Sequence, residues 1–167
     1  MAKRVDIRAE APDDVVFIRA VTAGAFARAP YSNRMEAAIV DALRQAGSLS
    51  LSLVATNEGE IVGHVAFSPV LIDGQAGDWY GLGPVSVRPD RQRQGVGQML
   101  IGRGLEQLRG RGAEGCVVFG DPAYYGRFGF ASDPDLYFPD APPGYFLRLA
   151  FRNTSPRGEV RYHAAFG

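Results

Sequence analysis

The chain is 167 residues long, 46% hydrophobic and 22% charged, and its 18 basic side chains balance 18 acidic ones. That length suits one domain around one core, and zero net charge removes bulk charge as a means of holding nucleic acid or anionic lipid. Cys116 is the single cysteine and His64 and His163 the only histidines, which excludes an internal disulfide and leaves no Cys/His cluster for a metal.

In chain order, RVDIRA alternates and predicts a first strand. In the stretch APDDVVFIRAVTAGAFARA, Pro12 suits a first helical position and Asp13 and Asp14 complement the positive end of a helix. Val15, Ile18, Val21 and Ala25 recur there at helical spacing. Ser32 is read as the cap of a second helix, with Met35, Ile39, Val40 and Leu43 on one side and Gly47 as its stop. Leu49, Leu51 and Leu53 alternate with serines, the pattern of a half-buried strand. Asn57 to Glu60 reads as a turn, IVGHVAFSPVLI as the returning strand, and Asp73 to Asp78 as a second turn.

WYGLGPVSVRP then predicts a strand stopped by Pro89. Ile101, Leu105 and Leu108 share one face of a helix running from Gly97 to about Arg109, and GCVVFG reads as a short buried strand. Asp121 is placed to cap a turn or helix opened by Pro122. Beyond Gly129 the chain is rich in proline and aromatics, and EVRYHAAF is read as a closing strand. There is no repeat, no linker and no apolar run near the ~20 residues of a membrane span. MAKRVDIRAEAPDD lacks an apolar signal core, so a cytoplasmic protein is expected. The order gives one mixed α/β domain over residues 1–167, in which an antiparallel meander argues against a doubly wound parallel sheet.

The stretch VSVRPDRQRQGVGQML carries the first chemical signal. Its glycines fall where a strand passes into a helix. The first amides of a helix have no intrahelical partner and the dipole is positive there, so the spot suits an anion, most naturally phosphate. A Walker loop needs a lysine after its second glycine, and none is present. A dinucleotide fingerprint needs a third glycine where Leu100 stands, and a place in the first βαβ unit. Taken by itself, the loop reads first as a glycine-rich turn with solvated arginines.

A strand, then Q-x-x-G-x-G from Gln92 to Gly97, then a helix resembles the acyl-CoA loop of the GCN5-related N-acetyltransferase (GNAT) family. GDPAYYGRFGF, with Tyr125 four residues before Gly129, resembles the second block of that family. With GHVAFSPV and GEVRYHAAF, the wording is similar to a bacterial subgroup of N-acetyltransferases over nearly the whole chain. The resemblance implies a twisted mixed sheet of about six to seven strands flanked by helices, with splayed fourth (about 80–88) and fifth (about 115–120) strands. The cofactor core would cover about 78–130 and a closing, substrate-facing segment 131–167.

It further implies acetyl-CoA as acyl donor, no metal, and a small amine or a peptide amine as acceptor. The amine attacks the thioester through a tetrahedral intermediate and CoA leaves as thiolate. Main-chain groups of Val85 and Val87, with Ser86 between them, would meet the pantetheine arm. Amides of Gln92, Arg93, Gln94, Gly95, Val96, Gly97 and Gln98 would hold the pyrophosphate, and Arg91 or Arg93 would reach a phosphate. The Val87 amide, or one beside it, would polarise the thioester carbonyl. Tyr125 matches the acid that protonates the thiolate; a phenol, with an ordinary pKa near 10, carries its proton at neutral pH. Tyr124, next to it, is the alternative and a cofactor contact. No general base is assigned: a lone strand histidine such as His64 is more often a structural hydrogen-bonder. Cys116 reads as a buried, inert thiol.

Asp133, Asp135 and Asp140 gather with aromatics in the closing segment, which would suit a cationic acceptor, though a solvated loop closing the core is the favoured reading. Family members often form homodimers, though no surface in this sequence marks one. Two rival readings stand beside the enzyme: a non-catalytic acyl-CoA sensor, and an RNA-contacting module using Arg88, Arg91, Arg93, Arg103, Arg109 and Arg111.

Overall fold

A computed structural model describes residues 4–30 and 32–167. The strands are β1 (Asp6–Ala9), β2 (Leu51–Asn57), β3 (Glu60–Ile72), β4 (Gln75–Val87), β5 (Gly115–Phe119), β6 (Leu136–Tyr137), β7 (Phe146–Ala150) and β8 (Gly158–Arg161). The helices are α1 (Val15–Phe26), α2 (Glu36–Gln45), α3 (Val96–Gly110) and α4 (Pro122–Tyr125). The eight strands form a mixed sheet in the order β1-β2-β3-β4-β5-β7, and β8 pairs with β3 and with β6. The sheet thus has more strands than the six or seven expected; β6 spans only two residues and carries no pattern of its own.

The chain divides into two compact units. The first holds Met1–Phe67 and Gly83–Gly104, the second Ser68–Leu82 and Leu105–Gly167. In the first, β1, β2 and β3 pair antiparallel, with Val54 opposite His64 and Arg8 opposite Val54. Ile18 and Val40, from α1 and α2, pack on Val54, which fixes that side of the sheet as the α1/α2 face. Helix α3 covers the other face: a Cβ on Gly63 would meet Leu100 and Val96 at 3.0 Å, and one on Gly104 would run into the Phe67 ring. Strand β2 is therefore buried on both faces rather than half-buried; its one serine, Ser52, lies inside with its leucines.

In the second unit, β4 pairs parallel with β5 over Trp79–Gly81, and β5 pairs antiparallel with β7 along its whole length. Val70, Trp79, Val117, Leu136, Phe146 and Val160 form its core. Gly115 and Gly81 lack a Cβ where the rings of Trp79 and Tyr162 lie against the strands.

Three local expectations change. The second hairpin turn is only Asp73 and Gly74; β3 ends at Ile72 as expected, and β4 begins already at Gln75 and runs through Asp78. Ser32 does not cap α2: the helix starts at Glu36, and the Ser32 hydroxyl instead donates to the Glu36 carboxylate at 2.7 Å. EVRYHAAF is a strand only as far as Arg161; Ala164–Phe166 is a 3-10 turn. No helix among the described residues is long and apolar enough to cross a membrane.

Candidate active site

The glycine-rich loop belongs to the first unit. Pro89–Arg91 forms a 3-10 turn after β4, and α3 begins at Val96. Between them Arg93 and Gly95 take left-handed conformations, with φ of 63° and 84°. Left-handed residues alternating with others turn successive amides toward one side, the geometry of an anion nest. Among the described residues, no acceptor within the protein is found for the amides of Gln92, Arg93, Gln94, Gly95, Val96 or Gly97. Gln92 to Gly95 are exposed, and nothing lies within 4 Å of where a Cβ on Gly95 would stand. Six donors at a helix start, four of them on exposed residues, fit a pyrophosphate group.

Side chains fix this loop from behind. Arg91, expected at the phosphate, is instead buried and donates to the Asn57 carbonyl oxygen at 2.7 Å in the β2–β3 turn. The Gln92 side-chain Nε2 donates to the Val87 main-chain carbonyl at 3.0 Å, and the Gln94 side-chain Nε2 to the Asp90 main-chain carbonyl at 3.2 Å. Arg93 is exposed. Arg88 pairs with Asp90 at 2.6 Å and with Glu60 at 3.4 Å. With Arg88 and Arg91 committed to internal partners, the arginine cluster that suggested RNA contact is reduced.

Upstream of the loop, the Arg88 amide donates to the Val62 carbonyl at 2.8 Å. By the two-residue period of an antiparallel pair, Ser86 turns its main-chain groups to β3, while Val85 and Val87 turn theirs away from it. The rungs between β4 and β5 end at Gly81, so Val85 and Val87 lie beyond that pairing. The Val87 carbonyl accepts from the Gln92 side chain. Ser86 is buried and its hydroxyl has no partner.

The second unit holds Tyr124 and Tyr125. Asp121 caps α4 as expected, its carboxylate accepting from the Ala123 amide at 2.9 Å. Gly129, at φ 96°, ends the 3-10 turn Gly126–Phe128 that follows. Tyr125 packs edge-on against Tyr124 and Phe130, with ring centroids at 5.0 and 6.0 Å. Gly120 makes room for it, since a Cβ there would strike the Tyr125 ring. Arg127 lies over the Tyr124 ring at 4.4 Å. Partial burial pushes the Tyr124 phenol up, against the opposing charge of Arg127. Cys116 is wholly buried and burial drives its thiol far up, so it is inert as expected.

A model of the acetyltransferase (GNAT) family matches residues 20–130. The chain belongs to this family. It is 41% identical over 125 residues, 74% of this chain and 72% of the relative, to the Escherichia coli K12 uncharacterized N-acetyltransferase YhbS. A Brucella melitensis GNAT family acetyltransferase solved in complex with acetyl-CoA is 52% identical and superposes with a TM-score of 0.89, over 99% of this chain and 100% of that one. Escherichia coli YhbS solved in complex with CoA is 35% identical, with a TM-score of 0.87 over 99% and 93% of the two chains. The mixed sheet flanked by helices is thus the family fold.

Sequence reasoning passed over one polar feature of this GNAT chain. His64 is fully buried on β3, and its Nε2 lies 2.7 Å from the Ser52 hydroxyl on β2. The same hydroxyl makes a very short hydrogen bond to Glu10, just past β1. Glu10 in turn accepts two hydrogen bonds from Arg44 on α2, each 2.9 Å, and Arg44 also reaches Asp41 at 3.1 Å. Burial would push the Glu10 carboxyl up, but the Arg44 and Ser52 hydrogen bonds outweigh it and hold the group below its usual range. Burial lowers His64 to about 4 despite nearby Glu10, so the ring is neutral at pH 7. The one sequence signal was the serine in SLSLSL, which lies opposite Ala66, one pleat from His64.

Proposed function

We propose that this chain transfers the acetyl group of acetyl-CoA to a primary amine by direct attack of the amine, through a tetrahedral intermediate. The observation that carries the reading is the run of acceptor-free amides from Gln92 to Gly97 at the start of α3. Such a run is costly to leave bare unless water or an anion meets it. The relatives named above, one solved with acetyl-CoA and one with CoA, support the same donor. Bound there, acetyl-CoA supplies an activated acyl carbon and a good leaving group.

The chain's own residues take the remaining tasks. The amides of Gln92 to Gly97, with Gln98 beside them, hold the pyrophosphate, and Arg93 adds charge at the rim. The main chain of Val85 and Val87 receives the pantetheine arm as an added strand would be received. The Val87 amide polarises the thioester carbonyl, an interaction of a kind that lowers barriers by about 3 kcal/mol. The Tyr125 phenol gives its proton to the departing sulfur, and the Tyr124 ring flanks it.

Thermal unfolding with saturating acetyl-CoA, CoA and longer acyl-CoAs tests the donor without knowledge of the acceptor. Ligand at about 100 times its Kd adds roughly 2.7 kcal/mol, worth about 5 °C or more in a chain of this size. Absence of any rise would remove the donor assignment. Acetyl-CoA-dependent thiol release with a panel of primary amines separates an enzyme from a CoA-binding sensor.

A further inference from the structure

The α1/α2 face of the first unit carries a row of buried polar groups running across the strands. Val54 on β2 lies opposite His64, and Ser52 shares its face two residues away. The Arg88–Val62 hydrogen bond puts Ser86 of β4 beside His64, two residues along the pair. Glu10, Ser52, His64 and Ser86 therefore follow one another over β1, β2, β3 and β4. One end of the row is satisfied and reaches solvent, since the Glu10 side chain is 18% exposed. The other end is not. Among the described residues, His64 Nδ1 and the Ser86 hydroxyl are buried with no partner, and so is the Thr22 hydroxyl on α1.

Proton counting fixes the chemistry of the satisfied end. Ser52 has one hydroxyl proton, and an ionised carboxylate only accepts, so Ser52 donates to Glu10. The Ser52 oxygen must then accept from His64 Nε2–H. The neutral ring accordingly carries its lone pair on Nδ1, the atom left without a donor. A buried acceptor beside a buried hydroxyl wants a donor between them, either water or the ligand itself.

We propose that Glu10, Ser52 and His64 form a proton relay that deprotonates the acceptor ammonium, with Ser86 holding that ammonium or the water next to it. The inference rests on the acyl-transfer reading and supplies the base which that reading lacks. The step balances. An N–H bond of the ammonium breaks and its proton goes to His64 Nδ1. The Nε2 proton passes to Ser52, and the Ser52 proton passes to Glu10. Net, R–NH3+ and the Glu10 carboxylate become R–NH2 and the Glu10 acid. Arg44, with Asp41 beside it, favours return of Glu10 to its ionised form by release to solvent.

Two probe nucleophiles test the relay with acetyl-CoA as donor at pH 8. Ethylamine arrives as ammonium and needs deprotonation; hydroxylamine arrives neutral and does not. In Ser52→Ala the ratio of kcat with ethylamine to kcat with hydroxylamine is expected to fall about 100-fold. Glu10→Gln is expected to lower the same ratio. Because a general loss of folded protein lowers both rates together, the ratio reports the relay alone. An unchanged ratio in both variants overturns the relay and leaves acyl transfer standing. A wild-type chain that releases no thiol with either probe overturns acyl transfer and the relay with it. Nitrogen-15 NMR gives a readout independent of turnover: His64 protonated at Nε2 at pH 7 supports the relay, and protonation at Nδ1 overturns it.

Discussion

The two compact units each hold one short functional segment still, and they do so with different chemistry. In the first, polar contacts to main chain or turn fix the loop: Arg91 on Asn57, Gln92 on the Val87 carbonyl and Gln94 on the Asp90 carbonyl. In the second, rings hold Tyr125: Tyr124, Phe128 and Phe130 surround it, over a glycine that leaves space. The difference follows from what each segment must present. A main-chain anion nest depends on dihedral angles and is indifferent to most side chains. The proposed proton donor depends on one oxygen atom, and ring packing places the ring that carries it. The first segment should therefore fail through backbone strain, the second through loss of a single atom.

The largest effect is expected in the second unit. Tyr125→Phe keeps the ring and its packing and removes only the hydroxyl. Turnover of acetyl-CoA with an amine should drop about 100-fold, near 3 kcal/mol on the barrier. Acetyl-CoA should still raise the Tm of the variant as it does for wild type. A variant with undiminished kcat would give the acid role to another group, and Tyr124→Phe is the next substitution to assay.

Acid should separate the units by a polar group of the first. His64 stays neutral when folded down to about pH 4, against an ordinary value of 6.5. Below pH 6.5 the unfolded chain binds a proton that the folded chain refuses, so stability is full above that pH and falls as pH drops toward 4. The loss amounts to about 3 kcal/mol at the lower end. The Glu10 and Asp14 carboxyls, both held below their usual range, add their own losses at still lower pH. Urea unfolding at pH 7 and pH 4.5 should show a shallower pH slope in His64→Gln than in wild type. Parallel slopes would mean that His64 takes up its proton in the folded state near the ordinary pH.

Removing the anchor of the loop comes next. Arg91→Ala leaves the Asn57 carbonyl oxygen buried without its donor, at a cost of about 2 kcal/mol by chemical denaturation. The freed loop should also bind acetyl-CoA more weakly. Arg93→Ala, at an exposed side chain, should change stability by less than about 0.5 kcal/mol. Equal stability losses for the two arginines would end the claim that side chains brace the loop from behind.

Much of the fold was readable because its signals are local. The SLSLSL alternation, the helical face of Ile101, Leu105 and Leu108, and the Asp121–Pro122 cap each lie within a few residues, and each element formed. Expectations failed where a distant partner decides. The hairpin of β3 and β4 runs on through Gln75 to Asp78 because strand pairing, not apolar alternation, carries exposed residues. Ser32 is a local exception: the Glu36 carboxylate, four residues on, takes the hydroxyl that a cap would use. In the candidate site, the glycines of the loop were legible as a motif. Arg91 was misjudged because its partner lies 34 residues away. The Glu10–Ser52–His64 chain was invisible for the same reason: it exists only once β1, β2 and β3 are in register.

The smallest expected effect gives the sharpest test of the loop. Gly95 and Gly59 have nearly equal backbones, at φ 84° and 82°, and no atom lies within 4 Å of a Cβ on either. Both belong to the first unit, one in the loop and one in the β2–β3 turn. Alanine at either position adds no clash and imposes only the cost of a left-handed angle, about 1 kcal/mol. Gly59→Ala and Gly95→Ala should therefore lower stability alike, while acetyl-CoA titration should show weaker binding only for Gly95→Ala. Equal affinities in the two variants would mean that the dihedral angles of the loop do not aim its amides at the ligand. Weakened binding in both would mean that the strain spreads through polar links between turn and loop such as Asn57 to Arg91.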